Sequence, residues 1–186
     1  MGIQFETDYN MEMLTAMAKG LRKTVRKKRS RRVHIFAAVV LILGLLTILA
    51  TVAGGEPLGA SGVVTLLALL VVILVSLFED RLNAWFAKKR LLPGTEHAAA
   101  TFEEDGYVSA TGVTESRFSY AQIVAVAETA RYFVFALSSH HTQAYDKRTI
   151  RGGSVEDFRA FIAEKTGKLV EISNKSNIVQ KIGENQ

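Results

Sequence analysis

Two uncharged apolar runs constrain the fold of this chain more than any other feature of its sequence. The runs are Ile35–Ala53 and Ala60–Phe78, each 19 residues long and rich in Leu, Val and Ile. A helix of that length rises about 28 Å, close to the ~30 Å hydrocarbon thickness of a bilayer. The six residues between the runs, GGEPLG, are too few for a domain and have the composition of a turn. We therefore predict a membrane-spanning helical hairpin.

Two other interpretations of the apolar runs fit less well. Buried core helices of a soluble protein normally carry a polar stripe, and neither run has one. A signal peptide has a shorter apolar region and a small-residue cleavage site, whereas the first run is long and starts late in the chain. Neither run contains an ionisable residue, the usual mark of an ion pathway, so transport by the hairpin alone is not expected.

Each run also has a face of small residues that would let helices approach closely. These residues are Ala37, Gly44, Thr47 and Thr51 in the first run and Thr65, Ala68 and Val72 in the second. Packing within the hairpin and contact with another chain are both open at this stage, and packing within the hairpin is favoured.

Basic residues flank the two runs on one side of the predicted hairpin. The predicted membrane-interface residues are Arg22, Lys23, Arg26, Lys27, Lys28, Arg29, Arg31, Arg32, Arg81, Trp85, Lys88, Lys89 and Arg90. The turn between the runs has only Glu56, so the positive-inside rule places both termini in the cytoplasm. Residues 91–186 hold ten basic and twelve acidic side chains, so a nucleic-acid partner is not expected. We predict a multi-pass protein of the cell membrane.

The chain before the first run is predicted to be a cytoplasmic, basic, amphipathic segment, residues 1–32, with a short strand at Ile3–Glu6. A helix would follow, with one apolar face formed by Leu14, Met17, Ala18, Leu21 and Val25. Two interpretations of this helix are open. It lies in the membrane plane and binds anionic lipid, or it is a solvated continuation of the first span that sets topology.

After the hairpin region, residues 33–90, the pattern changes to alternation. Residues 95–173 predict an α+β domain, an antiparallel β-meander capped by a C-terminal helix. Tyr132–Leu137 is apolar on both faces and predicts a central strand. The helix is predicted from the N-cap Ser154 to Gly167, an edge strand at Leu169–Ile172, and a flexible tail over residues 174–186.

Several pieces of this domain resemble the YcxB-like membrane proteins of bacteria. They are Phe118–Ile123, Glu128, Tyr132–Leu137, the basic pair Lys147-Arg148 before Ile150, and Phe158–Ile162, and the resemblance extends over nearly the whole chain. Where that family has Ile-Pro-Lys-Arg, this chain has YDKR, with Asp146 in place of the proline. The resemblance implies a pleckstrin-homology-like soluble domain and no defined activity.

No catalytic or metal-binding constellation stands out. The chain has no Cys, and the adjacent His140 and His141 would point to opposite faces of a strand, which makes a poor metal site. Gly152-Gly153 precedes a helix but lacks the Lys-Ser/Thr of a phosphate-binding loop. We therefore predict a non-enzyme without a cofactor or a metal, although a hydrolase stays open as a third possibility.

Two functions from different classes are predicted. The first is a membrane-tethered interaction or lipid-sensing module, with the bilayer and anionic headgroups as partners. Lys147, Arg148 and Arg151 are its candidate contact with lipid or a partner, although loops are commonly charged and an ordinary solvated turn is the favoured alternative. The second is an accessory subunit of a larger transporter or secretion complex, which uses its spans as the contact. A homo-oligomer is also consistent with the sequence.

Overall fold

The computed structural model describes residues 2–171, and this part of the chain contains five α-helices and eight β-strands. In chain order these are β1 (Ile3–Asp8), α1 (Met11–Lys23), α2 (Lys27–Ala53), α3 (Ala60–Leu77), α4 (Glu79–Lys89), β2 (His97–Phe102), β3 (Tyr107–Thr111), β4 (Glu115–Phe118), β5 (Ala125–Glu128), β6 (Tyr132–Ala136), β7 (Thr142–Asp146), α5 (Val155–Thr166) and β8 (Leu169–Glu171). The predicted flexible tail, residues 174–186, lies outside the described residues.

Helices α2 and α3 contain the two apolar runs, and each is long and apolar enough to cross a membrane. They pack against each other at Gly44, where an added Cβ would lie 2.5 Å from Leu69 Cδ2. Glycine permits this close approach. Most large apolar side chains of the pair stay exposed, for example 70% of Phe36 and 73% of Leu77. The predicted packing of the hairpin on itself is confirmed, and its outer surface is apolar.

The second apolar run does not continue as one helix to Arg90. Phe78, with φ −104° and ψ 17°, separates α3 from α4. Helix α4 begins with Glu79 and Asp80 and ends with Lys88 and Lys89. This order of charges is the one that the helix dipole favours, so α4 is stabilised as a separate helix.

Strand β1 changes the predicted domain boundaries. It pairs antiparallel with β2 along its whole length, from Ile3 opposite Phe102 to Asp8 opposite His97. Its alternate side chains are buried, and Phe5 is only 1% exposed. Within the predicted segment 1–32, β1 and α1 are therefore part of the same domain as the strands that follow the hairpin. The hairpin and α4 are an insertion between α1 and β2.

Helix α1 packs on the second sheet, and its apolar face is buried. Leu14 and Met17, two residues of the predicted apolar face, cluster with Val134 of β6 and Ala84 of α4. At Gly20 an added Cβ would lie 2.8 Å from Val134 Cγ1, so the helix and the strand are in close contact. Of the two open interpretations, the structure argues against a helix that lies in the membrane plane with its apolar face in lipid, because the protein itself covers that face.

The domain core lies between two four-stranded sheets. Their strand orders are β1-β2-β3-β4 and β7-β6-β5-β8. All five residues of β6 are buried, as predicted for a central strand. Its Phe133 and Phe135 face the core between the sheets, while Tyr132 and Val134 face α1. Strand β6 therefore separates two apolar clusters, one between the sheets and one under α1.

Helix α5 covers the core at the C-terminal end of the described chain. Ser154 Oγ accepts a hydrogen bond from Asp157 N at 3.0 Å, and Gly167 ends the helix with φ 61°. Phe158 and Ile162 are fully buried. The predicted edge strand is present as β8 and pairs parallel with β5. The α+β arrangement is thus confirmed, and the pleckstrin-homology-like detail stays a prediction.

Candidate functional site

The candidate site is the junction where α1, α2 and α4 meet the turn between β6 and β7. Arg22 donates from Nε and Nη2 to the Asp80 carboxylate at 2.7 and 2.6 Å. The Arg22 Nε also lies 3.8 Å from Glu79 Oε2, and His34 Nε2 lies 3.6 Å from the same oxygen. The His34 Nδ1 is 2.8 Å from the Ser30 carbonyl oxygen. The two carboxylates at the start of α4 thus connect it to both α1 and α2.

The chain direction explains why these charges meet. Helices α1 and α4 run antiparallel, so the last turn of α1 lies beside the first turn of α4. Cations are favourable at a helix C-terminus and anions at an N-terminus, which suits Arg22 and Asp80. The paired hydrogen bonds have the bidentate geometry of strong Arg–carboxylate contacts. The hydrogen bond with Asp80 raises the pKa of Arg22 above its ordinary value, so the Arg22 guanidinium stays charged.

A cleft of about 400 Å³ opens beside these ion pairs, and we call it the junction cleft. Its polar lining is formed by Arg22, Arg26, Arg29, Ser30, Glu79, Asn83 and His140. Arg26 Nε donates to the Ser139 carbonyl oxygen at 2.7 Å, which holds the β6–β7 turn against the start of α2. Three guanidinium groups face one carboxylate, so the cleft is basic.

The structure divides the predicted membrane-interface residues into three groups. Arg22, Arg26 and Arg29 line the junction cleft; Lys23, Lys27, Lys28, Arg31 and Arg32 are exposed around the start of α2; Arg81, Trp85, Lys88, Lys89 and Arg90 are exposed on or just after α4. The Lys89 Nζ lies 3.6 Å from the centre of the Trp85 ring, a cation–π contact. All of them belong to the helices at the base of the hairpin.

The other predicted cluster is held by ion pairs within the domain. Lys147 Nζ donates to Glu128 Oε1 and to the Thr129 carbonyl oxygen, each at 2.6 Å, and its side chain is 12% exposed. Arg148 pairs with Asp146 at 2.9 Å, and Arg151 lies 3.3 Å from Glu6. Of the three predicted residues, Lys147 is therefore not available to an external ligand.

This cluster also lies at the end of the domain away from the hairpin. Arg131 contacts both Asp146 and Glu12, and Glu12 is in the first turn of α1, whereas the hairpin follows the last turn. The 13 residues of α1 separate its ends by about 20 Å. The structure thus argues against the predicted lipid contact of Lys147, Arg148 and Arg151.

Sequence reasoning missed the partners that organise both clusters. Glu79 and Asp80 follow the second apolar run directly, and acidic residues next to a span were a signal that positive charge from elsewhere would be needed. Glu128 is 4% exposed and accepts hydrogen bonds from Lys147 and Arg159 at 2.6 and 2.7 Å. Burial alone would raise the pKa of Glu128, but these hydrogen bonds outweigh it and hold the pKa below its ordinary value.

Metal chemistry has no visible basis in the part of the chain that the structure describes. No group of three or more His, Cys, Asp and Glu side chains there is placed to hold a metal ion. His140 Nδ1 lies 2.7 Å from Ser139 Oγ at the β6–β7 turn and lines the junction cleft. The chemistry that the arrangement supports is recognition of an anion, because its polar groups are mainly hydrogen-bond donors.

The fold and the site together define a two-helix hairpin protein whose α+β domain includes chain from both sides of the hairpin. A family model described as YcxB-like protein matches residues 102–162, which extend from the end of β2 into α5. This part of the chain is a YcxB-like domain, as the resemblance predicted, and the match leaves out β1 and the helical hairpin. Comparisons with curated proteins and with solved structures gave no match.

Proposed function

We propose that α2 and α3 span a bilayer and that the protein is a membrane-tethered, non-catalytic interaction module. The observation that carries this proposal is the exposure of the hairpin. None of the most apolar stretch of either helix is buried within the described protein, whereas the domain has its own closed core. Soluble proteins rarely expose apolar surface of this extent, so the hairpin needs an apolar environment. A bilayer supplies one that matches the length of both helices.

The charges at the helix ends support a cytoplasmic domain in the cell membrane. Lys and Arg residues surround the base of the hairpin, and the turn at its tip has only Glu56. Basic residues near span ends favour the cytoplasmic side. We expect a reporter active only outside the cytoplasm to be silent after Gln186 and active when inserted between Glu56 and Pro57. Activity in the reverse pattern would contradict the orientation, and silence at both sites would contradict insertion.

The attachment of the domain to the hairpin suits a module that holds a binding surface at a fixed distance from the membrane and in a fixed orientation. The chain enters the hairpin from α1 and leaves it through α4. Helix α1 packs on Ala84 of α4, which is fully buried. The ion pairs of Arg22 with Asp80 and of His34 with Glu79 add contacts at the base. A domain held at these three helix contacts has less freedom than one on a single flexible linker.

A second candidate function is an accessory subunit of a larger membrane complex. Packing of α2 on α3 uses Gly44, but Thr47 and Ala68 of the predicted small faces stay exposed. Small residues on a lipid-facing surface are favourable contact points for another transmembrane helix. We expect a cysteine at Ala68 to crosslink to a larger membrane protein if the subunit function holds. A cysteine at Leu70, which is exposed on the opposite side of the same helix, is the matched control.

A further inference from the structure

We propose that the junction cleft binds the phosphate of an anionic lipid headgroup. The inference rests on the proposed insertion of the hairpin and adds a defined ligand and site to it. The cleft brings together groups from four elements: Arg22 of α1, Arg26 and Arg29 at the start of α2, Asn83 of α4 and His140 of the β6–β7 turn. Guanidinium groups recognise phosphate oxygens through paired N–H donors.

The three arginines are engaged to different degrees by the protein. Arg22 is committed to Asp80 through two hydrogen bonds and sets one wall of the cleft. Arg26 donates from Nε to the Ser139 carbonyl oxygen, and this hydrogen bond orients its guanidinium group. Its two terminal nitrogens make no hydrogen bond or ion pair with residues 2–171. Arg29 is exposed and makes no ion pair with any described residue. Arg26 and Arg29 therefore have donors to offer to a ligand.

Both carboxylates beside the cleft lie close to Arg22. Glu79 is the one acidic residue in the lining, and it lies within 3.8 Å of Arg22 and 3.6 Å of His34. Asp80, next to it, accepts both hydrogen bonds of Arg22. Arg22, Arg26 and Arg29 carry three positive charges against the two negative charges of Glu79 and Asp80, so an anion entering the cleft meets a net attraction.

The start of α2 adds a second reason to expect an anion. Its first turn contains Lys27, Lys28 and Arg29, no acidic residue and no side-chain cap. Cations at a helix N-terminus are unfavourable because the helix dipole places partial positive charge there. A bound phosphate would offset this repulsion and accept hydrogen bonds from free backbone N–H groups of the first turn.

The position of the cleft, next to the start of the first apolar run, favours a lipid over a free phosphate ion as its ligand. Ser30 and Val33 line it, and His34 and Glu79 contact each other at the same level of the hairpin. The uncharged apolar run begins at Ile35, directly after His34. In an inserted hairpin this level is the headgroup region, where a lipid phosphate is present and its acyl chains can follow the exposed apolar surface of α2.

The test uses the full chain in detergent, with phosphatidylglycerol retention measured by native mass spectrometry. The double substitution Arg26→Gln and Arg29→Gln is expected to weaken retention about ten-fold or more, because each position loses a charge-assisted hydrogen bond to the phosphate. The matched control is Arg31→Gln with Arg32→Gln. It removes the same charge from the same helix at exposed positions outside the cleft, and it should leave retention nearly unchanged. Equal losses in both variants would overturn the proposal.

Two further arms separate the remaining outcomes. Arg29→Gln alone removes no hydrogen bond or ion pair with the described residues, so it should weaken retention several-fold even if the double variant folds poorly. Competition with inorganic phosphate that displaces phosphatidylglycerol completely would overturn the lipid assignment in favour of a free phosphate.

Incorporation of each variant into phosphatidylcholine nanodiscs tests insertion separately. A chain that inserts but does not retain phosphatidylglycerol contradicts only the cleft proposal, and a chain that does not insert contradicts the proposed function.

Discussion

At the scale of single residues, Glu128 shows how this domain tolerates a buried charge. Its carboxylate is 4% exposed and lies between Lys147 and Arg159. A buried ion pair is not strongly stabilising by itself, but removal of one partner leaves an uncompensated charge in a poorly solvated place. The cost of breaking this cluster should therefore exceed the cost of breaking an exposed ion pair.

We expect Glu128→Gln to lower the free energy of unfolding of the domain by about 3 kcal/mol, because Lys147 loses its carboxylate while it stays mostly buried. Urea unfolding followed by near-UV circular dichroism measures this change. The control is Glu104→Gln, which removes an exposed partner of Lys165. A loss for Glu128→Gln no larger than that of the control would contradict the expected role.

The stability of the domain should also depend on pH through the Glu128 carboxylate. The pKa of Glu128 is held below 4.5 in the folded protein, so folding favours its charged form. Its contribution is present above the unfolded pKa and is lost as the pH falls through the folded pKa. We expect the difference in midpoint temperature between wild type and Glu128→Gln to shrink as the pH falls below about 4.5. A difference that stays constant down to pH values near 3 would be inconsistent with this pKa.

At the scale of elements, β1 and α1 decide how the domain is built. Strand β1 forms an edge of the first sheet, and α1 covers one face of the second. Both precede the hairpin in the chain, yet their apolar side chains complete cores formed by residues that follow it. The amphipathic pattern of α1 is therefore explained by packing on protein, and Arg22 in its last turn lines the junction cleft.

Phe5→Ala should show this dependence directly. The Phe5 ring contacts the rings of Phe102, Tyr145 and Phe158 at centroid distances of 5.8, 5.6 and 4.7 Å. Truncation of a buried Phe typically lowers the free energy of unfolding by about 3–5 kcal/mol. Gln4→Ala, at an exposed position of the same strand, should change it by less than about 0.5 kcal/mol. Equal resistance of both variants to limited proteolysis would contradict the assignment of β1 to the core.

At the scale of the whole molecule, the hairpin is an insertion in a domain that closes without it. Arg22 at the end of α1 and Asp80 at the start of α4 are in hydrogen-bond contact, so a short linker can join the two helices. We expect a chain with residues 25–78 replaced by a short Gly/Ser linker to fold as a soluble domain, and residues 95–186 alone to stay unfolded. Two-dimensional NMR spectra distinguish these outcomes. A well-dispersed spectrum of the 95–186 fragment would contradict the role of β1 and α1.

Local patterns in the sequence determined the elements themselves. Uninterrupted apolar runs predicted α2 and α3, a stretch that is apolar on both faces predicted β6, and the capping residues Ser154 and Gly167 predicted α5. These features depend on residues close together in the chain, whose periodicity and hydrogen bonding decide the local conformation.

The tertiary structure alone decided which elements belong together. Nothing local in Ile3–Asp8 specifies β2 as its partner, because backbone hydrogen bonds between strands do not depend on side-chain identity. Likewise, the basic residues before the first span look alike in the sequence, but only Arg22, Arg26 and Arg29 line the junction cleft. Their separation from Lys147 and Arg148 follows from the direction of α1 and β7 across the domain. The sequence by itself thus determined the helices, the central strand and the basic flanks of the two apolar runs, and long-range packing decided which of those charges form a site.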